Sequence, residues 1–286
     1  MKAHVAAALV LLAFLAIDAA GVRAEDPWKT VPDPPALPQA DESGLAPVND
    51  IKMHYEIYNA AGEDPVILLH GGLGSTLNWG FQVPALMKNH KVIAADSRGH
   101  GRSTRSAQPF GYPLMASDVL ALMDFLKIDK ASIVGWSDGG IIGIDIAVNN
   151  PDRLNKLFAY GANYNVSGVK PTVESDPVFG IAVTKAAENY ARLSPTPNEF
   201  ETFVKEISAM WFSQPDYKPE ELGKITAPTV IADGQYEEAI KPEHTAELAK
   251  LIPGAKLVIL PNVSHMGLWQ DPEAFNQAVT GFLDGN

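Results

Sequence analysis

The chain has 286 residues, 46% of them hydrophobic and 20% charged, with 22 basic against 34 acidic side chains and a formal net charge of −12. This fits one large globular domain with an insertion, and the negative balance argues against nucleic acid or an anionic membrane as the main partner. The absence of cysteine excludes a disulfide framework, a thiol nucleophile and a lipoprotein anchor, and the seven scattered histidines form no Cys/His metal-ligand spacing.

Residues 1–24 read as a secretory signal peptide. Lys2 gives a positive start, Val5 to Ile17 is an apolar run too short to span a bilayer comfortably, and Val22-Arg23-Ala24 precedes a cut near Ala24. The mature protein is therefore expected to be exported, periplasmic or secreted, without a stable membrane anchor. A core of this size needs no cross-links, so the missing cysteines do not oppose export. Residues 25–47 carry Pro27, Pro32, Pro34, Pro35, Pro38 and Pro47. They predict an extended, partly disordered leader that forms neither helix nor central strand. The main domain is expected over residues 48–286.

Within it, Ile51 to Tyr58 alternates as an edge strand does. Pro65 to Leu69 and Lys91 to Ala95 are short apolar runs, as in strands buried on both faces. Thr76 to Asn89 predicts a helix between them. Met115, Val119, Leu122 and Leu126 fall on one helical face. Ala131 to Val134 predicts a strand, Ile141 to Val148 a helix and Leu157 to Tyr160 another strand. Strands alternating with helices imply right-handed crossovers and a mostly parallel sheet. The pattern changes over about residues 164–222, where prolines separate helical runs; this predicts a helical cap inserted over the sheet. Thr196-Pro197-Asn198-Glu199 reads as a capping box with proline in the first turn, followed by Phe200, Phe203, Ile207 and Met210 on one face. The sheet resumes with Pro228 to Ala232 and Lys256 to Leu260. A last helix after Asp271-Pro272 places Phe275, Val279 and Phe282 inward.

Gly135-Trp136-Ser137-Asp138-Gly139-Gly140 lies between a predicted strand and a predicted helix. G-x-S-x-G in that context is a nucleophile elbow: a sharp turn whose glycines admit close backbone packing and whose serine stands clear of the sheet at a helix N-terminus. Backbone N–H groups there can stabilise a developing oxyanion.

From about Val48 to Asp284 the chain resembles the α/β-hydrolase family. The matches are His70-Gly71-Gly72, Asp96 to Ser103, the elbow, and Ser264-His265 after the last strand, in the family's order. The elbow and Gly161-Ala162-Asn163 also look like the valacyclovir hydrolase branch. The resemblance implies an α/β-hydrolase fold, a mostly parallel doubly wound sheet with an inserted helical cap. It implies Ser137 as nucleophile and His265 as base, and an acid in the loop Asp233 to Glu238. Glu237 stands where the family carries its acid, with Glu238 and Asp233 as alternatives. An oxyanion hole from the backbone N–H groups of Gly72 and Asp138 follows. His70 is expected to order backbone, His100, Asp96 and Arg98 to be structural, and His244 to be solvated. Trp79, Trp136, Trp211 and Trp269 flank these motifs and either line an apolar pocket or pack in the core. Asp138 either interacts with the helix dipole or pairs with a cationic substrate group such as the α-amino group of an amino-acid ester. The implied activity is an exported serine esterase acting on a small-molecule ester, without metal or organic cofactor. Lactone or amide hydrolysis, or ligand binding without turnover, are the alternatives.

Overall fold

The computed structural model describes residues 26–285. The expected signal peptide lies outside the described residues. In chain order the elements are β1 (Glu42–Val48), β2 (Ile51–Tyr58), β3 (Pro65–Leu69), α1 (Val83–Leu86), β4 (Lys91–Ala95), α2 (Tyr112–Phe125), β5 (Ala131–Trp136), α3 (Asp138–Asn149) and β6 (Leu154–Tyr160). They continue with α4 (Pro177–Leu193), α5 (Phe200–Trp211), α6 (Pro219–Leu222), β7 (Thr229–Gly234), α7 (Pro242–Leu251), β8 (Lys256–Leu260), α8 (Gly267–Gln270) and α9 (Pro272–Asp284).

The strands form one sheet in the order β1-β2-β4-β3-β5-β6-β7-β8. β2 is antiparallel to both β1 and β4; every pairing from β4 to β8 is parallel. Successive side chains of a strand feed opposite faces. Ile67 and Leu69 of β3, with Ile93 and Ala95 of β4, join the core under α2 and α3. Val66, Leu68, Val92 and Ala94 join the core under α1 and α9. Burial on both faces explains why these strands are continuous apolar runs. The winding reverses between β3 and β5: the chain runs from β3 outward to β4, then returns to β5 and proceeds to β8. Such a reversal opens a crevice beyond the carboxyl ends of the two strands. His70-Gly71-Gly72 and Ser137 both begin there. α4, α5 and α6 lie between β6 and β7. Among the described residues no helix is long and apolar enough to cross a membrane.

Several local expectations are corrected. The proline-rich stretch contains β1, and that strand, not β2, is the edge; β2 is flanked on both sides. Residues 26–41 pack on the domain: Val31 is buried, and the backbone of Pro35 lies so close to Gly80 that a Cβ there would overlap its carbonyl. Residues 76–89 hold a short 3₁₀ turn at Thr76–Trp79 and α1 rather than one helix, since Pro84 has no N–H to continue a helix. α5 begins at Phe200 with no side-chain cap; Thr196 instead hydrogen-bonds Tyr190 at 2.9 Å. In α9 it is Leu283, with Phe275 and Val279, that is buried, while Phe282 is only partly covered.

Candidate active site

β5 ends at Trp136 and α3 starts at Asp138, so the whole turn rests on Ser137, at φ +53° and ψ −119°. A non-glycine residue there is strained. Its N–H donates to Tyr160 O at 2.7 Å, and Gly140 N–H donates back to Ser137 O at 2.8 Å. Two glycines permit this. A Cβ on Gly135 would overlap the backbone of Gly139, and one on Gly139 would overlap the carbonyl of Leu69 in β3. The Ser137 side chain is half-buried, and its Oγ has no hydrogen-bond partner among the described residues.

His265 lies in the loop after β8, and its ring packs on Gly161, the residue after β6: a Cβ there would lie 2.7 Å from His265 Cε1. Gly161 follows directly on Tyr160, the partner of Ser137. Trp136 closes the other side, donating its indole N–H to His265 O at 2.9 Å. His265 Nδ1 donates to Glu237 Oε1 at 2.9 Å and Oε2 at 3.0 Å, which leaves Nε2 as the basic nitrogen. Glu237 Oε1 also accepts the N–H groups of Ala239 (2.6 Å) and Ile240 (3.0 Å). Glu238 has a different position: it accepts His265 N–H at 2.8 Å and Ser264 Oγ–H at 3.1 Å, so it holds the backbone of the histidine loop. Asp233 accepts Thr245 Oγ1–H at 2.6 Å. The structure thus gives the three acids of one loop three different tasks.

All of this is buried: His265 and Glu237 are each 3% exposed. Burial pulls the His265 imidazole below its ordinary 6.5, while the carboxylates of Glu238, Asp233 and Asp138 pull it back up. Burial raises Glu237 and Glu238. It raises Asp233 as well, with the Glu237 charge adding to it.

The opposite wall is the loop after β3. His70 Nε2 accepts Ser97 N–H at 3.0 Å, so its proton is on Nδ1 and is donated to Gly71 O at 2.8 Å. Gly74 N–H also donates to Gly71 O, at 3.0 Å. His70 therefore orders the backbone of this loop. The N–H groups of Gly72 and Asp138 donate to no group among the described residues. Asp96 ties the neighbouring turn, accepting Thr76 N–H (2.6 Å) and Arg102 N–H (2.8 Å). Arg98 is buried and forks onto Asp118, with bonds of 2.6 and 2.8 Å. His100 is buried beneath the cap, edge-on to Phe203 at 4.8 Å, and burial takes it down to about 3.

The cap reaches the site through α5. Trp211 Nε1 donates to Asp138 Oδ2 at 2.9 Å, and Tyr112 OH donates to Asp138 Oδ1 at 2.8 Å. A Cβ on Gly72 would overlap the Trp211 indole and lie 2.9 Å from Asp138 Oδ2. Of the four tryptophans flanking these motifs, Trp211 is the one half-buried over the Gly72 loop. Trp79 is fully buried in the core with Val83 and Leu86, which removes it from the pocket candidates. Trp136 and Trp269 are buried edge to face at 5.0 Å, and Trp269 donates to Asn78 O at 2.8 Å. His244 is not solvated: it stacks on Tyr164 at 4.2 Å and accepts its N–H at 3.2 Å. Tyr112 and Gln270 carry no sequence signal; a glycine directly after a strand was the available clue to Gly161, whose φ is +64°.

A family model described as "alpha/beta hydrolase fold" matches residues 64–192. A protein of Caulobacter sp. (strain K31) named "Putative carbamate hydrolase RutD" is 30% identical over 263 residues, covering 82% of this chain and 96% of the relative. Two solved structures align over 84% of this chain and 99% of theirs. They are the enol-lactonase from Burkholderia xenovorans LB400 (25% identity, TM-score 0.66) and Est816, described as an N-acyl homoserine lactone degrading enzyme (27%, 0.64). With its sheet and cap, and its likeness to these hydrolases along almost their whole length, the chain belongs to the α/β-hydrolase family and is a hydrolase.

Proposed function

We propose that this hydrolase cleaves a carboxylic ester of a small molecule through an acyl-enzyme, with Ser137 as nucleophile, His265 as base and Glu237 as the acid that orients it. The observation that carries this reading is the Nδ1 bond from His265 to Glu237, behind a serine held at φ +53°. A serine hydroxyl becomes nucleophilic only as its proton is removed. Ser137 Oγ attacks the carbonyl carbon while its proton passes to His265 Nε2. The carbonyl oxygen becomes an anion between the N–H groups of Gly72 and Asp138. Collapse expels the alcohol, which takes the proton from His265. Water then repeats the sequence and releases the acid. Glu237 holds the Nδ1–H tautomer and stabilises the imidazolium.

The same atoms would open a lactone or cleave a carbamate or amide. The lactone-degrading solved structures and the carbamate-hydrolase name of the relative support testing those bonds beside esters. Labelling of wild type but not Ser137→Ala by a fluorophosphonate, with steady turnover of a p-nitrophenyl ester, supports the reading. Turnover of lactones or carbamates alone would replace the ester. Ligand binding with neither labelling nor turnover would make the chain a binding protein.

We also propose export, on the charge and apolar run of residues 1–24. Protein recovered from an exporting host should begin near Glu25; an intact Met1 overturns this.

A further inference from the structure

The first described residues of the proline-rich segment before β1 pack on the two loops that carry Glu237 and His265. Trp28 stacks on Tyr236, the residue before Glu237, with ring centroids 4.0 Å apart and planes 12° from parallel. Two residues on, Thr30 O accepts the side-chain N–H of Gln270 at 2.8 Å. The same Gln270 holds the histidine loop: its Oε1 accepts Ser264 N–H at 2.6 Å and its Nε2 donates to Ser264 Oγ at 2.9 Å. Ser264 Oγ in turn donates to Glu238, which holds His265 N–H. An unbroken series of hydrogen bonds therefore runs from the backbone of residue 30 to the histidine.

Beyond it, Val31 is buried in the core that contains Trp269 and Leu268. Pro32, Pro34 and Pro35 stiffen the chain, and Gly80 lets it lie flat on the domain. A proline-rich segment loses little entropy on docking. The family match begins at residue 64, so this segment lies outside it.

We infer that residues 26–31 are a positioning strap for the Glu237–His265 pair, clamping the acid loop through Tyr236 and the histidine loop through Gln270. The inference rests on the proposed roles of those two residues. Catalytic groups displaced by even an ångström lose much of their rate; between strand and next helix the histidine loop has no regular structure, and the acid loop has a single bridge, Ile240 to Val169, beyond Glu237. The strap supplies that rigidity from outside the sheet.

The test compares the mature chain with a chain starting at Pro32, and with Trp28→Ala, Trp28→Phe, Tyr236→Ala and the Trp28→Ala/Tyr236→Ala pair. Loss of the strap should lower kcat and the fluorophosphonate labelling rate on the order of 10-fold, with KM within about twofold. Trp28→Ala should move in the same direction and Trp28→Phe, which keeps the stack, should restore wild-type rates. The double variant should be no worse than either single one, because both remove the same contact. The groups facing His265 are Glu237, Glu238, Asp233 and Asp138. Loosened loops admit water, so the acid limb of the pH profile should move up toward the ordinary 6.5 of histidine. If the variants unfold at lower urea but keep kcat, labelling rate and pH limb, the strap is merely structural and the inference is wrong. A change confined to KM would also overturn it, pointing instead to the Asp33–Lys185 contact with the cap. Should the shortened chain fail to fold, the point variants decide. A wild-type chain with no labelling would refute the serine mechanism, a result distinct from equal labelling of wild type and variants.

Discussion

The indole N–H of Trp211 in the cap donates to the carboxylate of Asp138, the residue beside Ser137, at 2.9 Å. Tyr112 supplies a second donor, so the carboxyl next to the Gly72 loop already has partners. Burial raises Asp138 above the ordinary 3.8, opposed by the Trp211 and Tyr112 bonds. Asp138→Asn should therefore affect an α-amino ester and its des-amino analogue equally, measured as kcat/KM on both. A selective loss for the amino ester would show that Asp138 reaches substrate ammonium after all. Trp211→Phe leaves the ring but strips a donor from a buried carboxylate, at a cost of about 1.5–3 kcal/mol in urea unfolding.

Ser137→Ala and His265→Ala should each reduce turnover by several orders of magnitude with the fold intact by circular dichroism. The double variant should be no slower than either, since in the proposed mechanism the two act as a unit. Multiplying effects would break the proposed assignment.

Glu237→Gln and Glu238→Gln separate two adjacent acids. Glu237 meets His265 Nδ1, so its amide should cost on the order of 10²–10⁴ in kcat. Glu238 accepts a backbone N–H on one oxygen and a hydroxyl on the other, and an amide oxygen can keep the first of these bonds while the second is lost. Its amide should cost less than about tenfold. The reverse order would make Glu238 the acid.

The pH profile follows from the histidine. In the proposed mechanism only neutral His265 can accept the Ser137 proton. Because burial holds the imidazole below 6.5, kcat/KM should stay high as pH falls through 6.5 and decline only at more acidic pH. Glu238 is the foremost group pulling the imidazole up, so Glu238→Gln should move the limb to still lower pH. A wild-type limb above 6.5 would contradict the buried, neutral base.

Much of the sheet was legible because a strand buried on both faces needs an unbroken apolar run, and the runs at Pro65–Leu69 and Lys91–Ala95 are strands with those bounds. The elbow was legible for a local reason as well. A reversal within a few residues has to have glycine where backbone meets backbone, as Gly135 and Gly139 do. Hence the alternation of elements, the parallel core and the place of Ser137 follow from short-range pattern.

Only tertiary structure decided the rest. Asp233, Glu237 and Glu238 are chemically alike and nearly adjacent; what separates their tasks is the approach of the histidine loop from the far side of β8. Four tryptophans look equally fit for a pocket until packing buries Trp79, Trp136 and Trp269 and leaves Trp211 over Gly72. The prolines of residues 27–38 predict an extended, partly disordered leader, whereas the chain makes one 3₁₀ turn at Pro27–Lys29 and docks on the domain. Docking depends on Tyr236, Gln270 and Gly80, distant in sequence and brought together by the fold. Local periodicity sets which elements form; contacts between distant loops set which polar side chains meet, because those depend on direction and tenths of an ångström rather than on hydrophobic pattern.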